Sequence, residues 1–242
     1  MCATYRPTSR DRVREFLRVD QNNQMADGVS GGTDDVYPGQ VAPVIRLRAD
    51  GSAGSPALEL IDAIFGMVPP WSRDGRNYRH TYNARTETVA DKPSFRNAWR
   101  SRQFCAVPMQ LFYEPNYESG AAVRWKIERR DGEPLWIGGL WENWRDQHGV
   151  DRPSFTMLTL NAGQHVVMNR FHAPADEKRM LVMLALGDVN AWLQATNDEA
   201  RDLFGSYQAD ALATQAAPKP PRRSPRPSPP SSRPPLRDLF DE

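Results

Sequence analysis

The sequence predicts an α+β fold: a single strand-rich domain with a curved, mostly antiparallel sheet. The chain has 242 residues, of which 39% are hydrophobic, enough to bury one core within one domain. Most apolar runs are short, rich in β-branched or aromatic residues, and separated by loops rather than by regular helices. The sequence has no internal repeat and no phosphate-binding glycine fingerprint, which argues against a βαβ architecture.

Short apolar runs give the individual elements in chain order. Strands are predicted over residues 41–47, 104–107, 123–128, 135–140, 155–160 and 180–186. Helices are predicted over residues 58–65, 94–100, 189–194 and 198–204. Two polar, glycine-bearing stretches, residues 21–35 and 49–55, are predicted to be loops.

The C-terminal part of the chain changes composition abruptly. The domain is predicted to span residues 1–212, and residues 213–242 a disordered tail, because prolines there alternate with arginine and serine. The hydrophobic groups of residues 236–240, Leu-Arg-Asp-Leu-Phe, suggest a short docking motif for a replication protein. This motif loosely resembles peptides that bind the bacterial sliding clamp, although the expected glutamine is absent.

Net charge, apolar segments and cysteine content limit the cellular compartments and the binding partners to be expected. The net charge is +1, so any site for a polyanion must be a local patch. The first fifteen residues lack an apolar signal segment, and no apolar stretch is long enough to span a bilayer. Two cysteines without close spacing suit a reducing compartment and form neither a disulfide framework nor a zinc site. We therefore expect a cytoplasmic, nucleoid-associated monomer with no membrane partner, metal or cofactor.

Cys2 directly follows the initiator methionine. Removal of Met1 would leave one residue with a free α-amine, with a pKa of about 8, and a thiol, with a pKa of about 8.5. Such a 1,2-aminothiol captures aldehydes: the amine condenses to an imine, and the sulfur then closes a five-membered thiazolidine ring. The alternative is that a cysteine at this position has no chemical role.

Four further segments carry candidate functional groups, each with a structural alternative. Asn83 and Arg85 lie in a polar segment that could equally be a capped loop. Glu114 ends an apolar strand, where desolvation would raise its pKa and suit proton transfer, or where it could simply be solvated. His172 precedes an apolar strand and could donate protons near neutral pH, or could be a surface histidine. Trp71 follows two prolines on a turn and could stack a nucleobase.

Taken together and in this order, the motifs of the chain resemble those of the SOS response-associated peptidase (SRAP) family, whose members shield abasic sites in single-stranded DNA by covalent crosslinking. The resemblance covers residues 2 to about 186. It rests on the opening Met-Cys, Gly-Met-Val-Pro-Pro-Trp at 66–71, Asn-Ala-Arg-Thr-Glu-Thr at 83–88, Pro-Ser-Phe-Arg-Asn-Ala-Trp at 93–99, Phe-Cys-Ala-Val-Pro at 104–108, Phe-Tyr-Glu-Pro at 112–115, Gly-Leu-Trp-Glu at 139–142 and Phe-Thr-Met-Leu-Thr at 155–159.

The resemblance implies a catalytic role for four residues. Cys2 would form the thiazolidine with the ring-opened abasic sugar, and Asn83 would position the N-terminal residue. Glu114 would shuttle protons, and His172 would protonate the sugar ring oxygen to favour the open aldehyde.

Three further residues would bind DNA. Arg85 and Trp71 would hold the phosphate and the base next to the lesion, and Arg179 would be a weaker phosphate contact. Met1 would be removed by the protein's own peptidase (hydrolase) activity; reversal of the crosslink and lyase activity stay open.

The chain departs from the family pattern at three places. It reads Cys-Ala-Thr-Tyr-Arg where several relatives have glycine and arginine after the cysteine, so a phosphate contact from position 4 would fall to Arg6. Gln110 and Leu111 replace an acidic residue and a glycine. His172 precedes Arg179 by seven residues, whereas in many relatives the histidine lies two residues before Arg-Met.

The leading hypothesis is an abasic-site sensor of the DNA damage response that crosslinks to single-stranded DNA through Cys2. One alternative is a cysteine hydrolase that uses Cys2, His172 and Glu114 on peptides or amides. The other is a non-covalent single-stranded DNA-binding module in which Arg85 and Trp71 matter and Cys2 is incidental.

Overall fold

The computed structural model of the protein describes residues 2–17, 34–48, 58–205, 207 and 209–219. Its sheet runs in the order β10-β7-β8-β3-β2-β5-β6-β11, and a further pairing of β7 with β5 closes the middle strands into a barrel. Strand β1 pairs with β5, and β4 and β9 pair with β8. All pairings are antiparallel except those of β8 with β3 and with β4. The predicted α+β fold with a curved, mostly antiparallel sheet is therefore confirmed.

The elements have the following bounds. The strands are β1 Tyr5–Pro7, β2 Val41–Leu47, β3 Leu58–Phe65, β4 Asn83–Arg85, β5 Phe104–Asn116, β6 Val123–Arg129, β7 Leu135–Arg145, β8 Asp151–Asn161, β9 Arg179–Leu181, β10 Met183–Leu184 and β11 Leu212–Ala216. The α-helices are α1 Arg10–Leu17, α2 Tyr78–Thr81, α3 Arg96–Arg100, α4 Val189–Gln194 and α5 Asn197–Asp202. Short 3-10 turns cover Met168–Arg170, Leu186–Asp188 and Ala209–Ala211. None of the helices in the described ranges is long and apolar enough to cross a membrane.

Strand β5 is the axis of the barrel because it pairs with β1, β2, β6 and β7. Most of its side chains are buried, including Cys105, as its apolar run predicts. The neighbouring strands come very close at Gly139, where a Cβ atom would lie 2.5 Å from the backbone oxygen of Thr156 and 3.1 Å from Cys105 Sγ. Only glycine fits there, so the glycine of the Gly-Leu-Trp-Glu motif allows the barrel to close.

Two predicted elements are wrong. Residues 58–65 form strand β3 instead of a helix, because they pair along their whole length with β2, from Leu58 opposite Leu47 to Ile64 opposite Val41. This pairing overrides the helical propensity of Leu, Glu and Ala. Residues 180–186 form two short strands and a 3-10 turn rather than one strand, because Val182 bonds to β8 on one side and to β7 on the other.

The predicted boundary at residue 212 is also too early. Residues Leu212–Ala216 form β11, which pairs with β6 from Leu212 opposite Arg129 to Ala216 opposite Trp125. Their alternating polar and small side chains suit an edge strand, and the proline-rich composition begins only at Pro218. The predicted loop at 49–55, most of the loop at 21–35, and the tail from 220 onward lie outside the described residues.

Candidate reaction centre

Strand β1 brings the start of the chain into the barrel. Its residues pair with β5, and the Tyr113 backbone amide donates to the Thr4 carbonyl at 3.0 Å. Cys2 is consequently buried, with 1% of its surface exposed, in the same core cluster as Tyr5 and Phe112. Its thiol donates to the Thr4 carbonyl at 3.5 Å. Burial, and after it the charge of Glu114, raises the pKa of the Cys2 thiol, so the sulfur keeps its proton at neutral pH.

Glu114 lies on the inward face of β5. Because side chains alternate along a strand, Phe112, Glu114 and Asn116 share one face, and all three are buried. The Glu114 side chain is only 3% exposed. Burial raises the pKa of this carboxyl from its ordinary value of 4.5 to about 7. The group can therefore both give and accept a proton at neutral pH, as predicted for a proton shuttle.

His172 faces Glu114 across the site. Its Nδ1 lies 3.5 Å from Glu114 Oε2, and its Nε2 lies 3.0 Å from the Arg179 carbonyl oxygen. A carbonyl only accepts hydrogen bonds, so Nε2 carries the proton and Nδ1 of the neutral ring faces the carboxyl. Burial lowers the pKa of His172, which favours this neutral form. Glu114 and His172 thus form one buried pair through which a proton can move.

The backbone at His172 is held in an uncommon conformation. Its φ is +68°, in the left-handed region that non-glycine residues rarely adopt. The His172 amide donates to the Pro115 carbonyl at 2.8 Å, next to Glu114, and Lys178 donates to the His172 carbonyl at 3.0 Å. The longer loop between His172 and Arg179 therefore still delivers the imidazole to the carboxyl.

Asn83 begins β4, whose register places it opposite Met157 of β8. Its Nδ2 donates to the Tyr82 carbonyl at 2.9 Å, while its buried Oδ1 has no hydrogen-bond partner in the described part of the chain. The preceding Tyr82 lies at the reaction centre: burial raises the pKa of its phenol, and the charges of Cys2 and Glu114 raise it further. Asn83, next to Tyr82 in the chain, therefore offers a buried unsatisfied acceptor of the kind that an ammonium or amine would fill.

Arg179 is already held by partners within the protein. Its side chain is 3% exposed, and its guanidinium bonds to both oxygens of Glu87 at 2.8 and 2.9 Å, to Glu177 at 2.7 Å and to the Thr159 carbonyl at 2.7 Å. A DNA phosphate would have to displace two carboxylates to reach it. The Arg179 carbonyl also accepts the His172 Nε2 proton and so helps to orient the imidazole. The contact of Arg179 with a phosphate stays a prediction.

The other predicted DNA-binding residues are accessible. Trp71 is 55% exposed, as expected for a tryptophan on a proline turn. The Arg85 side chain is 49% exposed and forms an ion pair with Glu177 at 2.8 Å. Arg6, the proposed substitute for a position-4 contact, is bound to Asp35 at 3.0 Å.

Sequence reasoning missed three carboxylates that hold these arginines, namely Asp35, Glu87 and Glu177. Glu87 lies 92 residues from Arg179, so only the fold brings the two together and no spacing signal could have identified this pair. Glu177 lies two residues from Arg179, and its proximity in the chain was the one available signal. Within the described ranges, no group of three or more His, Cys, Asp or Glu side chains is arranged to hold a metal ion.

The arrangement is suited to addition chemistry at a carbonyl carbon. A buried thiol supplies the nucleophile, and the paired carboxyl and imidazole can take its proton and return a proton to a departing oxygen. Burial favours the neutral form of all three groups before a substrate enters. These properties do not by themselves identify the substrate.

The chain is similar to known proteins in both sequence and structure. The chain is 29% identical over 206 residues to the abasic site processing protein YoqW of Bacillus subtilis (strain 168), covering 84% of this chain and 85% of the relative. The abasic site processing protein YobE of the same strain is also 29% identical over 206 residues, covering 84% and 87%. A crystal structure of a Bordetella bronchiseptica protein superimposes with a TM-score of 0.77 and 32% identity over 89% of this chain and 99% of that chain.

The family comparison covers the whole barrel and the strand β11 that the sequence prediction left outside the domain. Residues 1–219 match the family described as SOS response associated peptidase (SRAP). The match includes the segments that carry Cys2, Asn83, Glu114 and His172. The chain belongs to the SRAP family.

Proposed function

We propose that this protein processes abasic sites in single-stranded DNA by forming a covalent thiazolidine crosslink through Cys2, thereby shielding the lesion during the DNA damage response. The observation that carries the proposal is the buried Glu114 carboxyl, with a pKa of about 7, next to both the His172 imidazole and the Cys2 thiol. The relatives named as abasic site processing proteins support DNA with such lesions as the substrate.

The first step is removal of Met1. Hydrolysis of the Met1–Cys2 peptide bond consumes one water molecule, releases methionine and leaves the α-amine on Cys2. This self-processing is the peptidase activity of the proposal. The Asn83 Oδ1 acceptor, which lacks a partner in the described part of the chain, would then hold the new amine.

The second step joins Cys2 to the sugar. The abasic deoxyribose exists mostly as a closed hemiacetal. His172 would take a proton from the Glu114 carboxyl at Nδ1 and deliver it to the sugar ring oxygen. The bond from C1′ to the ring oxygen then breaks, the C1′ hydroxyl returns its proton to Glu114, and the C1′ aldehyde is released. The Cys2 amine adds to C1′, and loss of one water gives the imine. The thiol sulfur then adds to the same carbon, its proton passes through Glu114 to the ring nitrogen, and a thiazolidine forms. The net change is the loss of one water molecule.

Binding residues around the centre would hold the strand. Arg85 would contact the phosphate next to the lesion once its ion pair with Glu177 is broken. The exposed indole of Trp71 would stack on the neighbouring base. Base stacking of this kind contributes about 1–3 kcal/mol per base. These contacts would bring the sugar to Cys2 without taking part in the bond changes.

A denaturing gel tests the proposal. Purified protein is incubated with a single-stranded oligonucleotide that contains one abasic site, beside a matched undamaged oligonucleotide and the variant Cys2→Ser. We expect a heat-stable shifted band that requires both the lesion and Cys2. A wild-type protein that lacks Met1 yet gives no such band would refute crosslinking and favour the non-covalent binding module or the hydrolase.

We further propose that the protein acts as a monomer and that residues 236–240 dock on a replication protein. Truncation after Lys219 would then leave crosslinking unchanged and abolish recruitment of the protein to replication sites in cells. Loss of crosslinking in the truncated protein would instead assign the tail to the DNA-binding domain.

A further inference from the structure

Positive charge is concentrated in one segment of the chain. Residues 71–102 contain eight Lys and Arg residues against three acidic ones, a net charge of +5, whereas the whole chain carries +1. All eight of these basic residues are exposed. They are Arg73, Arg76, Arg79, Arg85, Lys92, Arg96, Arg100 and Arg102. We call this segment the basic surface. A charge imbalance of this size makes a local field that attracts a polyanion.

Ion pairing sets the basic surface apart from other parts of the protein. Among the residues that the structure describes, Arg85 is the one member of the basic surface that forms an ion pair. Most described arginines elsewhere are paired with carboxylates, as in Arg124 with Asp35 at 2.6 Å and Arg170 with Glu118 at 2.8 Å. The charges of the basic surface are therefore neutralised by dissolved counterions, which a bound phosphate chain would release.

A cleft of about 350 Å³ opens in the basic surface. One wall runs from α2 into β4 and includes His80, Asn83 and Arg85, and the other is the turn before α3, with Lys92 and Phe95. Its volume lies at the small end of the range for ligand sites, about 300–1000 Å³, which suits a single nucleotide. Asn83 lines this cleft and directly follows Tyr82, whose phenol feels the charges of Cys2 and Glu114, so a nucleotide in the cleft would adjoin the residue held at Cys2.

We propose that this cleft binds the nucleotide next to the abasic residue and that Lys92 is its phosphate ligand, an inference that rests on the proposed function. The cleft contains two permanent cations, and Arg85 is already held by Glu177. Lys92, on the opposite wall, is exposed and has no carboxylate within 4.0 Å among the described residues. A phosphate there gains attraction without losing an existing ion pair, whereas one at Arg85 must first displace Glu177.

The test is a comparison of Lys92→Gln with the wild-type protein in binding an undamaged single-stranded oligonucleotide, followed by fluorescence anisotropy over a series of salt concentrations. Removal of one phosphate contact lowers the slope of log K against log salt by about 0.7. At moderate salt we expect the dissociation constant to rise about twofold to fivefold, as for an exposed ion pair. Lys92→Arg keeps the charge and restores both values.

Arg130→Gln is the matched control. Arg130 is an exposed cation five residues beyond Trp125, the β-sheet partner of Glu114, and therefore roughly 17 Å along the strand from the reaction centre. We expect its salt slope to equal that of the wild type. Equal slopes for Lys92→Gln and the wild type would overturn the inference, as would an equal loss in Arg130→Gln.

Crosslinking to the abasic oligonucleotide separates the two proposals. It is measured with the wild-type protein, separately from the salt slope of Lys92→Gln. A wild-type protein that binds DNA with the expected slope but forms no crosslink would refute the proposed function while keeping the cleft. A wild-type protein that crosslinks, together with an unchanged slope in Lys92→Gln, would refute the cleft alone.

Discussion

The reaction centre and the basic surface differ in almost every physical property, although they are adjacent in the chain at Tyr82 and Asn83. Cys2, Glu114 and His172 are at most 6% exposed, and burial shifts the pKa of each toward its neutral form. The basic surface is exposed and permanently charged. A dry, neutral pocket suits proton transfer and ring closure, but it cannot attract a polyanion over distance. The charged surface can do so, but it offers no nucleophile.

Because of this difference, we expect DNA binding and covalent bond formation to be separable by mutation. Variants of the reaction centre should abolish bond formation and leave DNA affinity unchanged. Variants of the basic surface should weaken affinity, with its salt dependence, and leave the rate at saturating DNA unchanged.

The largest effect is expected for Cys2→Ser. Serine keeps the size of the side chain, but its hydroxyl is a far weaker nucleophile than a thiol, so no stable ring forms. We expect complete loss of the denaturation-resistant product and an unchanged dissociation constant for undamaged single-stranded DNA. Loss of binding in this variant would show that the two regions are not independent.

Glu114→Gln should slow crosslinking by about 10³-fold, since it removes the group that carries protons during imine and ring formation. The rate constant is measured by quenching the reaction with denaturant at intervals and resolving the products. Gln keeps the shape of the carboxyl, so the fold and the DNA affinity should persist. A wild-type rate in this variant would remove Glu114 from the mechanism.

The same variant makes a prediction for stability. The folded-state pKa of Glu114, about 7, lies above its ordinary value of 4.5, so the folded protein binds the proton more tightly than the unfolded chain. Its contribution to stability is therefore full below about pH 4.5 and is lost as the pH rises through 7. At pH 8 the neutral Glu114→Gln should be more stable by up to ~3 kcal/mol, with little difference at pH 4.5. Urea unfolding at both values checks this sign.

His172→Asn should slow crosslinking by about 10²-fold, because it removes the acid that opens the sugar ring. Asparagine tolerates the left-handed backbone at this position, so strain is avoided. The informative control is a DNA substrate that carries an acyclic aldehyde in place of the abasic sugar. The defect should largely disappear with that substrate, and a defect of equal size would assign His172 to a later step.

The smallest effect is expected for Glu177→Gln, which removes the carboxylate paired with Arg85. Arg179 keeps its two bonds to Glu87, so the positioning of His172 should survive. The affinity for undamaged single-stranded DNA should rise about twofold to fivefold at low salt. Asp198→Asn, which removes an exposed carboxylate paired with Arg201 on α5, is the matched control and should change nothing. Weaker binding by Glu177→Gln would contradict competition between Glu177 and phosphate.

The strand-rich fold could be predicted because short runs of β-branched and aromatic residues indicate strands from the local sequence alone. Strand β2 was predicted with the bounds that the structure has, and β6 differed by one residue. Strand β3 was not predicted, because the preference of its sequence for a helix is overridden by its neighbours β2 and β8. Short strands such as β1, of three residues, owe their form to pairing with β5 and carry no periodic signal of their own.

In the site, too, some features could be predicted from the local sequence and others could not. Trp71 as an exposed residue and Glu114 as a carboxyl with a raised pKa follow from their local sequence, and the structure has both. The bond between Arg179 and Glu87 could not be predicted, because the two residues lie 92 positions apart and meet only after folding. Lys92 has no local motif of its own, but the net charge of +5 over residues 71–102 is a signal that the sequence does contain.

The most direct test of the central claim locates the bond that joins protein to DNA. The crosslinked product is digested with nuclease and trypsin and the peptides are identified by mass spectrometry; because Pro7 blocks cleavage after Arg6, the N-terminal peptide runs from Cys2 to Arg10. We predict that this peptide lacks Met1 and carries the sugar remnant with the loss of one water molecule. A remnant on a lysine-containing peptide, or on an N-terminal peptide that retains Met1, would contradict crosslinking through the Cys2 aminothiol.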